Sequence, residues 1–393
     1  MLKSPNDLSI FFLEIMQFII EAIKQSPQQK ITFADYMNLV LYHPQEGYYS
    51  SGRAKIGTQG DFFTASSLGS YFGELLAEQF LEMWKLLGSP KAFNLVEVGA
   101  GSGWCAADIL KYLHNNYPDF YEATNYIIVE EAQRLIEKQE NILSMTGKEN
   151  KVIWKSWDEI EDLSIIGCIF SNELIDAFPV HMITIKNKKM TEIYITQSEG
   201  KIKEVISELS TAKIIDYFKL IDINLNTNKY PENYRTEVNL KALDWLKKIC
   251  SKLKRGYLLT IDYGHIASKY YHPQRHKGTL KCYYKHRHHD NPYVNIGRQD
   301  ITSHVNFTAL EKQGNLLNLE TIKFTQQGLF LMGLGLGSRL LELSTGKYGF
   351  LEVIKRRDTL HQLIDPMGLG GFGVLLQSKG LTKEEKRRQL KGF

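Results

Sequence analysis

Three alternate glycines, Gly99, Gly101 and Gly103, follow the apolar run 94–98 directly and precede 104–113, whose apolar residues recur at helical spacing. That order dictates strand, tight turn, helix, because glycine turns sharply and lets a ligand approach the backbone without meeting a Cβ. A helix N-terminus opening at the turn leaves N–H groups free for polar ligand atoms. The rhythm then repeats. Residues 126–129 are β-rich and run into Glu130, 132–142 are helical, 152–154 form a brief strand and 165–171 a fourth. Strands alternating with helices predict an α/β fold, a parallel sheet covered on both faces.

The loop also says what it does not hold. A dinucleotide fingerprint needs a small residue at position 104 for close helix-to-strand packing, and Trp104 stands there. A ligand without a pyrophosphate relaxes that demand; S-adenosylmethionine carries only a nucleoside and an amino acid. Glu130, at the carboxyl edge of the second strand, is the expected acceptor for both ribose hydroxyls. Glu131 beside it is explained by the helix macrodipole alone. Glu97, just inside the first strand, is expected to hold the cofactor's ammonium or to order the glycine loop.

Methyl transfer is an in-line displacement at a sulfonium carbon, so the protein must chiefly position a lone pair and exclude water. Asn172, Glu173 and Asp176 follow the fourth strand, at the edge that faces the cofactor. If the nucleophile is a guanidinium nitrogen, Glu173 and Asp176 would clamp it while Asn172 points an amide oxygen at it or at the cofactor. The bland alternative makes Asn172 a helix cap and puts Asp176 on a solvated face. Gly60, Asp61 and Thr64 are expected in a lid over the cofactor, or in a turn with Thr64 capping a helix over 68–84.

After Pro179 the pattern changes to alternation, 181–185 and 191–196 around the turn-prone 187–189, which predicts an inserted β-hairpin. Residues 240–253 read as a helix, Arg255-Gly256 as a turn, and 257–262 as a strongly apolar strand; 317–324 and 372–376 are the last two strands. The Gly- and Leu-rich stretch 328–343 is a helical excursion, whose Leu329, Phe330, Leu331, Leu334 and Leu336 fit a substrate groove or a homodimer contact equally well. The expected domains are a helical N-terminal segment with the lid (1–93), a catalytic domain (94–380) with insertions at about 181–237 and 327–369, and a basic tail (381–393).

With 48 basic and 44 acidic residues, a net charge of +4, there is no broad basic face of the kind nucleic acid requires. Four dispersed cysteines with no CxxC pair fit a reducing compartment, and no metal site is expected. Stretch 10–23 is interrupted by Glu14, Gln17 and Glu21, so it reads as an amphipathic helix rather than a membrane span or signal peptide, and a cytoplasmic location follows. Five histidines, His272, His276, His286, His288 and His289, crowd a basic stretch read as a surface loop, suited to an acidic partner. Asp300 and His304, four apart in what looks like a helix start, suggest an acid–base pair, with capping and core hydrogen bonding as the competing explanation.

Four stretches, in this order, resemble the MidA-like methyltransferase family. They are Tyr42-His43-Pro44 and Gly47-Tyr48-Tyr49 leading to Gly60-Asp61-Phe62-Phe63-Thr64-Ala65; Val96-Glu97-Val98-Gly99-Ala100-Gly101-Ser102-Gly103 with Asp108; Ser171-Asn172-Glu173-Leu174-Ile175-Asp176-Ala177-Phe178-Pro179; and Ile261-Asp262-Tyr263-Gly264 with Gly278-Thr279-Leu280 and 300–307. The resemblance implies a class I (Rossmann-like) methyltransferase sheet, mostly parallel with an antiparallel last strand, that binds S-adenosylmethionine and releases S-adenosylhomocysteine. It also implies a protein substrate, since the family includes a mitochondrial member that dimethylates an arginine of a respiratory complex I subunit. The usual loop G-P-G-R-G-T-L is altered here at Ala100, Ser102, Trp104 and Cys105. Rival functions are methylation of a small molecule or another residue type, and a non-catalytic cofactor-binding scaffold.

Overall fold

The computed structural model describes residues 5–52, 64–285 and 287–393. Its central sheet has seven strands: β1 (Phe93–Val98), β2 (Thr124–Val129), β3 (Val152–Lys155), β4 (Ile165–Asn172), β5 (Leu253–Asp262), β6 (Glu320–Gln326) and β7 (Gly373–Lys379). They lie in the order β6-β7-β5-β4-β1-β2-β3. Strands β1 to β5 are mutually parallel, and β7 runs antiparallel to both β5 and β6. The chain winds one way from β1 to β3 and the other way from β4 onward, so the carboxyl ends of β1 and β4 flank a topological switch point, where such sheets open a crevice.

Side chains alternate across the sheet. Leu95, Phe170 and Leu259 face one way, into a core completed by Phe72, Leu76 and Phe80 of α1 (Tyr71–Leu86) and Ile109 and Leu110 of α2 (Trp104–Asn116). Helix α3 (Gln133–Met145) closes the same layer with Ile142 and Leu143. Val96, Ile169 and Leu258 face the other way, onto Trp245, Leu246 and Ile249 of α4 (Leu240–Lys252) and Leu310 of α5 (Phe307–Leu316). Two covered faces are why these strands are apolar almost throughout.

Several expectations need correction. Arg255-Gly256 is not a turn: β5 begins at Leu253, with a register shift between Leu253 and Arg255, and runs unbroken through Gly256. Gly256 is glycine because its φ is 133°, a conformation L side chains rarely adopt, and because it crosses Gly167 at close range; a Cβ there would sit 1.9 Å from the Gly167 carbonyl oxygen. Gly256→Ala is therefore expected to cost about 3 kcal/mol of stability through overpacking; an unchanged midpoint in urea melts would contradict this packing.

The inserted hairpin is larger than expected. His181–Lys186, Lys189–Ser198, Lys201–Ser207 and Arg235–Val238 form a second antiparallel sheet, and Ile31–Thr32 of the N-terminal segment pairs with Tyr194 and Ile195 of its interior strand. The first 93 residues are thus not purely helical. Their helix Phe33–Tyr42 shares a core with this sheet through Phe33, Met37, Met182 and Ile195. A further insertion, missed in the sequence, lies between β5 and α5. It contains the three-stranded sheet of Lys281–Tyr284, Arg287–His289 and Asp300–Thr302, so the histidine-rich stretch is partly strand. Asp300 and His304 consequently lie on a strand and a connection, not on one helix face; α5 starts at Phe307, capped by Asn306.

Strand β6 starts at Glu320 rather than 317, because α5 runs to Leu316 and Asn318 takes φ 59° to leave it. Phe330, Leu331, Leu334 and Leu336 are buried in the core, which leaves Leu329 as the one exposed side chain of the five offered for a groove or dimer contact. The basic tail is docked: Glu385 pairs with Arg255, Lys386 with Glu320 at 2.6 Å, and Leu390 is buried. Among the described residues no helix is long and apolar enough to cross a membrane, and no group of three or more His, Cys, Asp or Glu is placed to hold a metal.

Candidate active site

A cleft of about 1860 Å³ opens at the carboxyl ends of β1, β2, β4 and β5. It is larger than one small ligand requires, at roughly 300–1,000 Å³, so cofactor and substrate can share it. At its base Gly99, Gly101 and Gly103 all have positive φ, 70°, 54° and 90°, the conformations only glycine adopts without strain. The Leu174 side chain occupies the space beside Gly99; a Cβ on Gly99 would approach its Cδ1 to 2.6 Å. This contact seats the loop after β4 against the loop after β1.

Glu130 follows β2 and is largely buried. Its Oε1 accepts the N–H groups of Glu131 and Ala132, each at 3.0 Å, and its Oε2 is 3.4 Å from the Gln139 amide. Burial raises its pKa while these donors oppose the rise. Gln139 was not singled out in the sequence, since one glutamine in an amphipathic helix carries no signal. Yet it is fully buried, donates to the Gly101 carbonyl at 3.0 Å and accepts from the Trp154 indole at 2.8 Å, so it ties the glycine loop to Glu130.

Glu97 lines the cleft and is buried, with one oxygen taken by the Tyr126 hydroxyl at 2.7 Å. Burial lifts its pKa to about 7 against hydrogen bonds from Tyr126 and the Cys105 thiol. Cys105 lies in the first turn of α2, so of the two roles expected for Glu97 this geometry favours ordering the glycine loop. Thr64 also reaches the cleft, as cap of the short turn Ala65–Ser67 rather than of a helix over 68–84; α1 starts at Tyr71. Gly60 and Asp61 lie outside the described residues.

The loop after β4 concentrates negative charge. Glu173 has φ 50°, a conformation that costs a non-glycine residue about 1–2 kcal/mol. Its Oε1 accepts the Ala65 N–H at 3.1 Å and the Asn172 amide at 3.0 Å, which leaves Oε2 to the cleft. Burial, then the neighbouring Asp176 carboxylate, push its pKa up to about 8. Asp176 is buried, not on a solvated face, and lies in the turn Ile175–Ala177; Asn172 ends β4 and caps no helix. The Tyr263 hydroxyl donates to Asp176 Oδ2 at 2.5 Å, whereas Asp176 Oδ1 and Asn172 Oδ1 are buried without a hydrogen-bond partner among the described residues. Burial raises Asp176 as well, and the Tyr263 bond partly offsets it.

Two residues hold this loop in place, and the sequence shows them only within the family resemblance. Asp262, at the end of β5 and fully buried, accepts the N–H groups of Leu174, Ile175 and Asp176 at 3.2, 2.9 and 3.3 Å through Oδ2, and that of Tyr263 at 2.9 Å through Oδ1. Tyr263 then fixes the Asp176 side chain, its own ring packed edge-on against His304 at 5.3 Å. Tyr42 and Tyr49 stack at 5.5 Å on the cleft wall, and the Tyr49 hydroxyl donates to Asp300 at 2.8 Å. His304 is held neutral, its pKa lowered to about 3 chiefly by burial, so it makes no acid–base pair with Asp300 near neutral pH. No ion pair among the described residues involves Glu173, Asp176 or Asp262.

S-adenosylmethionine fits these residues. Glu130 would take the ribose hydroxyls, the N–H groups at the start of α2 its carboxylate, and the orphaned Asn172 Oδ1 a donor or positive group near the sulfonium.

Comparison with known proteins agrees. Residues 75–325 match the model of a family of S-adenosyl-L-methionine-dependent methyltransferases. The protein arginine methyltransferase NDUFAF7 homolog of Drosophila melanogaster, a mitochondrial protein, is 28% identical over 80% of this chain and 73% of its own length. The human protein arginine methyltransferase NDUFAF7, also mitochondrial, is 27% identical over 79% of this chain and 71% of its own. A crystal structure of a COG1565 superfamily member and likely methyl transferase from Burkholderia thailandensis, bound to S-adenosyl-homocysteine, superposes with a TM-score of 0.87 at 27% identity, over 100% of this chain and 97% of that one.

Proposed function

Since the chain belongs to the MidA-like family of S-adenosylmethionine-dependent methyltransferases, we propose that its methyl acceptor is a guanidinium nitrogen of an arginine in a protein substrate, clamped by Glu173 and Asp176. The observation that carries this is the pair itself: two buried carboxylates at the carboxyl end of β4, with free oxygens and no basic partner among the described residues. Burying acidic groups without a cation is costly, and an entering guanidinium removes that cost while a neutral small molecule does not. The arginine methyltransferase relatives support the same choice.

The bound cofactor supplies a methyl group on a sulfonium. The residues of the chain do the rest. Asp176, its Oδ2 held by Tyr263, presents Oδ1 to one edge of the guanidinium, and Glu173 presents Oε2 to another. A free guanidinium keeps its proton up to a pKa above about 12. As the new N–C bond forms, the nitrogen's acidity rises and its proton passes to Glu173, the ionised carboxylate that faces it. Stacked Tyr42 and Tyr49 wall this end of the cleft from water.

In the free site Glu173 carries a proton below about pH 8, and the clamp needs it ionised. kcat/KM, which reports the free enzyme, is therefore expected to rise with pH toward about 8 and then level; a profile flat from pH 6 to 9 would contradict the assignment. The function itself is tested by mass spectrometry of proteins from cells with and without this chain. A methylated arginine lost with the chain supports the proposal. A lost mark on another residue type, or no lost mark on any protein, refutes it.

A further inference from the structure

Residues 263–299 hold seven Lys and Arg and six His against a single acid, Asp290. This insertion is anchored, not loose. Fully buried Glu237 accepts the Thr279 N–H and hydroxyl at 3.0 and 2.9 Å and the Leu280 N–H at 3.3 Å, which fixes the start of strand Lys281–Tyr284. Its charged side chains point outward: Lys269, His276, Lys277, Arg287 and His288 are all exposed. Asp290 is occupied by Lys281 at 2.5 Å, and Arg287 enters no ion pair or side-chain hydrogen bond among the described residues. Arg287 and His288 also line the cleft whose floor carries Glu173, Asp176 and Asp300.

A second feature concerns the backbone. Arg287–His289 is the outer strand of its three-stranded sheet, paired on one side with Lys281–Tyr284, and no strand among the described residues pairs with its other edge. An open edge beside a cleft accepts an extended chain by strand addition.

We infer that this basic face docks the substrate segment on either side of the target arginine, and that the segment is extended and bears acidic side chains next to that arginine. The inference rests on the guanidinium reading above and deepens it. The floor attracts one cation; the wall repels any others that accompany it. A polybasic stretch would thus gain at Glu173 and Asp176 and lose along Lys277, Arg287 and His288, whereas one arginine among acids is favoured at both. Nucleic acid suits the face less well, since its continuous phosphates would run onto the acidic floor. The contacts are exposed, so they act within about 8 Å at physiological salt and weaken as salt rises.

The test uses the full chain, S-adenosylmethionine and two peptides, each with one central arginine, flanked by glutamates in one and lysines in the other. The glutamate peptide should be methylated with a kcat/KM about tenfold or more higher, an advantage that shrinks at high ionic strength. The double variant Lys277→Glu with Arg287→Glu, at exposed positions, should reverse the preference; unchanged S-adenosylhomocysteine affinity verifies that it is folded. Equal use of both peptides, or better use of the lysine peptide, overturns the docking inference and leaves the arginine reading intact. Methylation of neither peptide overturns both. Block of both peptides by a polyuridine oligomer at low concentration would reassign the face to nucleic acid and also overturn the inference.

Discussion

Glu173→Gln is expected to lower kcat about 1,000-fold, the scale of losing a positioned proton acceptor, while the affinity for S-adenosylhomocysteine changes less than about threefold. Glutamine keeps the size of the side chain and can still accept from the Ala65 N–H, so the loop has no reason to move. What it lacks is charge for the guanidinium and capacity for the proton. The same change should stabilise the protein. Glu173 has a folded pKa of about 8 against an ordinary 4.5, so the unfolded chain ionises more readily and the wild type loses stability as pH rises from about 4.5 to about 8. The glutamine variant escapes that loss. Its Tm should exceed that of the wild type at pH 7 to 8 and converge with it near pH 4. A variant that is both dead and less stable at pH 7 would mark Glu173 as a structural residue.

Glu130→Ala should weaken S-adenosylhomocysteine binding about 100-fold or more, because two hydrogen bonds from ribose hydroxyls to a charged acceptor are worth roughly 1.5–3 kcal/mol each. Turnover at saturating cofactor should fall far less, since Glu130 stands after β2 and away from the clamp after β4. Calorimetric titration measures the first effect and initial rates the second. An unchanged Kd would remove Glu130 from the cofactor site. The local fold has other support: Gln139 still holds the Gly101 carbonyl, so a large loss of affinity cannot be put down to collapse of the loop.

Which parts of this site are legible in sequence follows from how local they are. Gly99, Gly101 and Gly103 announce themselves because a strand, a turn and a helix lie within twenty residues, and Glu130 and Glu173 are found by counting strand ends. Asp262 and Gln139 are not, because each acts on backbone groups 86 to 88 and 38 residues away respectively. An aspartate closing a strand looks like a solvated turn until its N–H partners from β4's loop are seen. Gly256 misleads for the same reason: a glycine beside an arginine suggests a turn, and only the structure shows that its positive φ and its parallel neighbour Gly167 require it inside a strand. The insertion holding Arg287 is built of strands two to four residues long, shorter than any window in which alternation can be recognised. Ile31–Thr32 joins a sheet some 160 residues downstream, a pairing that no local pattern encodes.

The most direct trial of the account is a crystal structure of the chain with S-adenosylhomocysteine and the glutamate-flanked arginine peptide. The guanidinium should lie between Glu173 Oε2 and Asp176 Oδ1, one nitrogen aimed at the cofactor sulfur. Finding the peptide's arginine outside that pair, with neither carboxyl group in contact with a guanidinium, would contradict it.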